Sequence, residues 1–230
     1  MKYIFDVDGV LCDTGETIDP EFRAWFIEWS KDKEYYILTG GKRESTMKQI
    51  GPRLVRHART QFHCMGNHVF IEDREYKLNQ FTLRPEEYMW LHTYVQESPY
   101  QIKTGNHIEQ RTGSLNVSIV GRNATKKERS DYIQWDNIYH EREKLAYEFV
   151  KQFPRFEAYL GGNTSIDICL QGANKGRSLI LIHNFNRDDM VFFGDKCMEG
   201  GIDYTVLPHT ATHYQINNGY KETWEILKTL

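Results

Sequence analysis

Two aspartates one residue apart, Asp6 and Asp8, follow the apolar run 3–5 at the start of the chain. In extended backbone, residues i and i+2 point to the same side. The spacing therefore predicts two carboxylates sharing one spot at the end of a strand, with Gly9 letting the chain turn there. Carboxylates buried together repel unless a proton or a cation comes between them. A hard divalent cation such as Mg²⁺ suits oxygen ligands and phosphate substrates. Three further groups fit the same chemistry. Thr39-Gly40 follows the apolar run 35–38 and offers a hydroxyl and backbone N–H groups to a phosphoryl group. Lys175 opens a helical segment, and its ammonium could neutralise a carboxylate and a phosphate. Asp195 ends the apolar run 190–193 as Asp6 ends its own, in the stretch GDKCMEGGID at 194–203, whose last acid is Asp203. A lone DxD describes a solvated acidic turn equally well. Four groups in this order, three of them directly after apolar runs, point to phosphoryl transfer at a carboxylate site.

A second constellation is basic. Residues 101–130 carry Lys103, Arg111, Arg122, Lys126, Lys127 and Arg129 against Glu109 and Glu128, a local charge of +4 in a chain of net −3. Arginine binds phosphate through a planar, bidentate fork. Arg129 also lies near the start of a helix signalled by the capping box Thr125–Glu128, whose free N–H groups favour anions. An ordinary basic hairpin face would have the same composition. A nucleic-acid patch would need interleaved aromatics for base stacking, and the stretch lacks them.

The elements that must hold these groups alternate. Strands at 3–5 and 35–38 enclose a helix from Pro20, capped by Asp19, with Phe22, Trp25, Phe26 and Trp29 on one face. A helix at 44–50 follows. Near the other end the pattern predicts a helix at 178–183, strands at 190–193 and 204–207, and a closing helix at 222–228. This rhythm signals a parallel α/β sheet. Such sheets bind ligands at the carboxyl ends of their strands, where Asp6, Thr39 and Asp195 fall. The middle is different. It predicts a helix over Pro85–Glu97, strands at 108–111 and 115–120, one helical stretch from 125 to 153, and strands at 156–160 and 165–170. The result is a Rossmann-like parallel-sheet α/β core, 1–78 and 171–230, with an α+β cap inserted at 79–170. The 136 residues between Thr39 and Lys175 leave room for that cap.

Composition sets the outer bounds. In 230 residues, 40% hydrophobic and 13% aromatic, there is enough apolar matter for a core. The 29 basic and 32 acidic side chains argue against a general nucleic-acid binder. No apolar run reaches the ~18 residues of a membrane span, and Asp6 comes too early for a signal peptide. Cys12, Cys64, Cys169 and Cys197 form no CxxC and no zinc-like spacing, which suits reduced thiols in the cytoplasm. The nine histidines lack ligand spacing and read as structural or surface groups.

At this point the chain resembles the haloacid dehalogenase (HAD) superfamily, through FDVDGVL at 5–11, LTG at 38–40, Lys175 and GDKCMEGGID at 194–203. EQRTGSLNVSIVGRNATKKER at 109–129, GGNTSID at 161–167 and FFGDKCMEGGID at 192–203 look like the eukaryotic-type phosphomannomutase family. The resemblance implies a Mg²⁺-dependent enzyme that interconverts mannose 6-phosphate and mannose 1-phosphate, with a hexose bisphosphate activator. It implies Asp6 as the nucleophile that becomes an aspartyl phosphate, and Asp8 as general acid/base. Thr39 and Lys175 complete the catalytic set. The metal falls to Asp6, the Asp8 carbonyl and Asp195, with Asp203 in the same acidic group. It implies that Arg111, Arg122 and Arg129 grip the distal phosphate, that Ser165 and Asp167 contact the sugar or that phosphate, and that two copies pair through their caps. Nucleic acid and membrane are not expected partners. The chain departs from the family pattern at Val10, at Gly15 where an arginine is usual, at Ile202 in place of asparagine, and at His209 in place of an acid. A sugar-phosphate phosphatase on the same scaffold is the alternative. A non-catalytic sugar-phosphate binder would have no need of Asp6, Asp8, Lys175 and Asp195 together.

Overall fold

The computed structural model describes residues 1–230. In chain order the elements are β1 (Lys2–Phe5), α1 (Pro20–Trp29), β2 (Glu34–Leu38), α2 (Arg43–Ile50), α3 (Pro52–His57), β3 (Thr60–His63), β4 (His68–Ile71) and β5 (Arg74–Lys77). Next come α4 (Pro85–Glu97), β6 (Ile108–Arg111), β7 (Ser114–Val117), α5 (Lys126–Tyr139), α6 (Glu141–Gln152), β8 (Phe156–Leu160) and β9 (Ile166–Leu170). The chain ends with α7 (Lys175–Ser178), β10 (Met190–Gly194), β11 (Thr212–Gln215) and α8 (Tyr220–Leu227).

Seven strands form one sheet in the order β11-β10-β1-β2-β3-β4-β5. The first five are mutually parallel, and β4 and β5 extend the sheet as an antiparallel meander. Both faces are covered, so the central strands are apolar on both sides. Tyr3, Phe5, Tyr35, Ile37 and Phe193 pack with Phe22 and Phe26 of α1, Leu54 of α3 and Leu227 of α8. The alternate residues Ile4, Tyr36, Leu38, Phe62 and Phe192 pack with Leu179, Ile182 and Val206. Asp19 caps α1 by accepting from the N–H groups of Glu21 and Phe22 at 2.9 and 3.0 Å.

Four antiparallel strands form a second sheet, β6-β7-β9-β8. It is cleanly two-faced. Leu115, Val117, Ile166, Ile168 and Phe156 pack under Leu91 and Val95 of α4, Tyr132 of α5, and Leu145 and Phe149 of α6. The alternate positions Glu109, Asn116 and Asp167 form one cross-strand row on the opposite face.

The structure corrects four expected elements. The stretch 204–207 is part of a 3₁₀ turn, Tyr204–His209, because Val206 N–H bonds back to Asp203 and only Val206 is buried. The pairing strand is β11, a polar and mostly exposed edge that carries no apolar alternation. The helix expected at 178–183 starts earlier, at Lys175, because Asn174 caps it through Arg177 N–H (3.1 Å), and it tightens to 3₁₀ at Leu179–Leu181. The second hairpin strand stops at Val117 instead of reaching 120. The single helix expected to 153 is two, broken at His140, whose φ of 52° is left-handed. Buried Asp136 explains the break, since its carboxylate accepts both the backbone N–H and the Nε of Arg142, capping α6 in place of a continuing turn.

Candidate active site

The strand order sets β10, β1 and β2 side by side. With Phe5 in register with Phe193 and Ile37, the loops after these strands bring Asp195, Asp6 and Thr39 to one edge. Asp6, Asp195 and Asp203 offer carboxylate oxygens all within 4.8 Å of one another. Lys175, the first residue of α7, is completely buried among them. Its Nζ lies 3.0 Å from Asp6 Oδ2 and 2.7 Å from Asp203 Oδ1. Asp203 Oδ2 accepts the Lys196 N–H (3.1 Å), so both Asp203 oxygens are engaged inside the protein. Asp6 Oδ1 accepts the Val7 N–H (2.7 Å), and Asp195 Oδ2 accepts Lys196 Nζ (2.8 Å). Glycine is required at position 9, because a Cβ there would stand 2.7 Å from Asp195 Oδ2 and φ is +77°. Thr39 is buried, its Oγ1 accepts the Gly41 N–H at 3.1 Å, and its carbonyl accepts the Met65 N–H at 3.0 Å.

Burial pushes the Asp6 carboxyl well above the usual carboxylate range, and Asp203, Asp195 and Asp8 add to the rise against the pull of Lys175. Burial raises Asp195 too, with Lys196 opposing. Burial alone would favour loss of the Lys175 proton, but Asp203 and Asp6 more than offset this and keep the ammonium charged. Three carboxylates thus face Lys175 and the partly exposed Lys196, and burial with mutual repulsion disfavours charge on Asp6 and Asp195. Oxygen-only donors under mutual repulsion fit a hard divalent cation.

Asp8 is not one of the three acids whose oxygens cluster within 4.8 Å. The chain leaves the extended conformation at Gly9, where Gly9 N–H bonds to Cys12 O and Leu11 N–H to Val7 O. Asp8 Oδ1 instead accepts the Gly15 N–H (2.8 Å) and Gln49 Nε2 (2.7 Å). Its charge still reaches Asp6.

The polar face of the second sheet meets this edge at Gly40. Arg111, at the end of β6, donates through Nη1 to the Gly40 carbonyl (2.8 Å) and pairs with Asp167 Oδ1 (3.3 Å) and Glu109 Oε2 (2.8 Å, from Nη2). Asn116 Nδ2 donates to Ser165 Oγ and Asp167 Oδ1, both at 2.9 Å. Arg122 Nη1 donates to Asn116 Oδ1 (3.1 Å). Arg129, in the first turn of α5, donates to Thr164 Oγ1 (3.0 Å) and to two backbone carbonyls, and has no carboxylate partner. The five expected substrate residues therefore form one patch, while Asp6, Thr39, Lys175, Asp195 and Asp203 form the facing one. A glycine is needed at 161 as well, since a Cβ would stand 2.1 Å from Asp167 Oδ2.

Two further contacts join the sheets. Leu160 N–H bonds to Gly200 O (2.9 Å), and Ile202 N–H bonds to Leu160 O (3.1 Å), so β8 pairs with the loop that carries Asp203. Lys42 Nζ lies 2.8 Å from Glu109 Oε1. Burial alone would raise the Glu109 carboxyl, but Lys42, Arg111 and Arg122 bring it down to about 2. A depressed folded-state value contributes stability above the unfolded value, about 4.3, and loses it as pH falls toward about 2. Thermal stability is expected to drop across that window, and less steeply in Glu109→Gln. Identical slopes for the two proteins in calorimetry from about pH 5 to about pH 2 would contradict this assignment.

Glu109, Asn116, Thr164, Lys42 and Gln49 were not among the expected site residues. Asn116 was legible in principle, as a polar position between apolar neighbours, whereas Glu109 lies on the polar strand β6 and does not stand out. Thr164 lies within the GGNTSID stretch beside Ser165. Gln49 carries no local signal; only the tertiary fold brings it in.

The parallel sheet with acids at its strand ends, and a second sheet set over it, is the HAD architecture. An IMP-bound IMP-nucleotidase of Plasmodium falciparum superposes with a TM-score of 0.68 at 13% identity, over 99% of this chain and 67% of that one. A sugar phosphatase of HAD subclass IIB superposes with a TM-score of 0.60 at 14% identity, over 98% and 90%. At such identity the likeness concerns the fold alone. Sequence narrows it. The family described as eukaryotic phosphomannomutase matches residues 54–230. The phosphomannomutase of Arabidopsis thaliana is 29% identical over 91% of this chain and 89% of its own. That of Saccharomyces cerevisiae is 28% identical over 91% and 85%. The chain belongs to the eukaryotic phosphomannomutase family, and is an enzyme of the phosphotransferase and isomerase kind. No helix in it is long and apolar enough to cross a membrane.

Proposed function

We propose that this enzyme is a Mg²⁺-dependent phosphomannomutase, interconverting mannose 6-phosphate and mannose 1-phosphate through an aspartyl phosphate on Asp6. The observation that carries the reading is the pairing of two polar surfaces across Gly40: a buried acid–lysine pocket on one side, and Arg111, Arg122 and Arg129 on the other. A hexose monophosphate held by its phosphate on the arginines presents a free hydroxyl to the acidic pocket, and a hexose bisphosphate has a phosphorylated end for each. Asp6 and Asp195, with Asp203 behind them, would hold Mg²⁺. The cation when bound would screen the phosphoryl charge from the carboxylates. Asp6 attacks phosphorus, Asp8 takes and returns the sugar hydroxyl proton, and Thr39 and Lys175 hold the phosphoryl oxygens and the nucleophile. The three arginines, with Ser165 and Asp167, hold the far phosphate and the sugar.

On this reading residues 1–78 and 171–230 are the catalytic core and 79–170 the cap. Two copies pair through their caps, and the enzyme works in the cytoplasm with a hexose bisphosphate to prime Asp6. The cap's task is to keep water from the aspartyl phosphate while the sugar turns around. One observation favours the phosphatase alternative: Gly15, beside Asp8, has no other atoms within 4 Å of where a Cβ would stand, so space next to the acid/base is open. A coupled assay of mannose 1-phosphate isomerisation, with phosphate release measured in parallel, decides between them. Isomer formed in excess of phosphate released is expected; phosphate release equal to substrate loss would overturn the mutase reading.

A further inference from the structure

The two hydrogen bonds on Asp8 Oδ1 define a device separate from the carboxylate cluster. We propose that Gln49 is a positioning residue for Asp8, holding its carboxylate so that Oδ2 alone faces the sugar hydroxyl. The inference rests on the acid/base reading of Asp8 and adds to it the group that aims the acid.

Gln49 sits in the last turn of α2. Its carbonyl accepts the Ile18 N–H at 2.8 Å, which docks the loop after β1 against the helix. Its side chain turns back under that loop, with Nε2 2.7 Å from Asp8 Oδ1 and 3.8 Å from Cys12 Sγ. The second donor to the same oxygen is the backbone N–H of Gly15, at 2.8 Å, in a left-handed turn with φ of +76°. An oxygen that faces two N–H donors has no free direction for a proton of its own. The proton that Asp8 exchanges must therefore ride on Oδ2, and the two donors set the plane in which Oδ2 lies. A glutamine does this without adding charge beside the nucleophile, where a lysine or arginine would add to the field of Lys175.

The step balances simply. As the bond from Asp6 oxygen to phosphorus breaks and the bond from the sugar oxygen to phosphorus forms, the hydroxyl proton passes to Asp8 Oδ2. In the reverse direction Oδ2 returns it to the departing sugar oxygen. A carboxylate free to rotate would present the correct oxygen only part of the time, and the loss would fall on proton transfer instead of substrate binding.

The backbone bond between Gln49 and Ile18 survives any side-chain replacement, so Gln49→Ala removes the aiming contact while leaving the loop docked. The test compares wild type, Gln49→Ala and Asp8→Asn, each as the full chain with Mg²⁺, on two substrates, with a hexose bisphosphate present in the mannose 1-phosphate assay only. Mannose 1-phosphate has a leaving group that needs a proton, and its loss is followed whether isomer or phosphate is formed. p-Nitrophenyl phosphate has a leaving group that departs without one, and its first turnover is read as the burst of p-nitrophenolate. In Gln49→Ala, kcat for mannose 1-phosphate is expected to fall about 10- to 100-fold, a part of the ~10²- to 10⁴-fold that acid/base catalysis contributes. KM and the burst rate should stay within about 2-fold of wild type, whereas a loss of loop structure would slow both substrates alike. An unchanged kcat, or an equal fall on both substrates, overturns the inference. Asp8→Asn that leaves sugar turnover intact overturns the acid/base reading beneath it. Asp8→Asn that is impaired beside an unimpaired Gln49→Ala overturns the positioning role alone.

Discussion

Replacing Asp6 by asparagine is expected to remove turnover of mannose 1-phosphate, by about 10³-fold or more, while the fold and substrate binding persist. Asparagine keeps the shape of the side chain and its oxygen still accepts the Val7 N–H, so the end of β1 stays in place. It cannot form the acyl phosphate, which needs a carboxylate oxygen as nucleophile. The patch of Arg111, Arg122 and Arg129, proposed to hold the distal phosphate, is untouched, so binding of mannose 1-phosphate, followed by calorimetry, should change by less than about 10-fold, or about 1.4 kcal/mol. Turnover within a few-fold of wild type would remove Asp6 from the role of nucleophile.

The largest stability effect is expected at Lys175. Its ammonium is completely buried and stands between Asp6 and Asp203. Lys175→Met fills a similar volume but leaves two buried carboxylates without their cation. Breaking a buried ion pair by removing one partner costs about 3–5 kcal/mol, which for a chain of this size lowers Tm by roughly 10 °C. The double variant Lys175→Met/Asp203→Asn should recover part of that loss, since the second change removes one of the stranded charges. A Lys175→Met protein within about 1 kcal/mol of wild type in urea unfolding would show that the pocket is better solvated than its burial indicates.

Much of this site was legible because its polar residues interrupt apolar runs. Asp6, Thr39 and Asp195 each follow a strand buried on both faces, so the change from apolar to polar marks both the strand end and the site. Lys175 stood out only in company, being an ordinary lysine by itself. The arginines were found from local charge and a family pattern, yet their arrangement was not. Arg111 is tied to Glu109 and Asp167, whereas Arg129 is bound only by neutral oxygens. The partners of Asp8 were not legible, because Gly15 and Gln49 reach its carboxylate from a turn and from α2, outside the local DxD spacing. β11 was missed because an exposed polar edge has no hydrophobic period to detect. The break at His140 was missed because its cause, Asp136, acts by capping the next helix, a contact between residues that look unexceptional in a helical run.

The pairing of Leu160 with Gly200 and Ile202 carries a consequence for how the molecule opens. Any separation of the two sheets must tear this short ladder, and the torn loop is the one that bears Asp203 and, through it, Lys175. Exchanging two backbone hydrogen bonds for water costs only about 0.5–1.5 kcal/mol each. The ladder by itself is thus a latch and not a lock. It is also a mechanical linkage, since the loop it holds carries the carboxylate on which the buried ammonium of Lys175 rests.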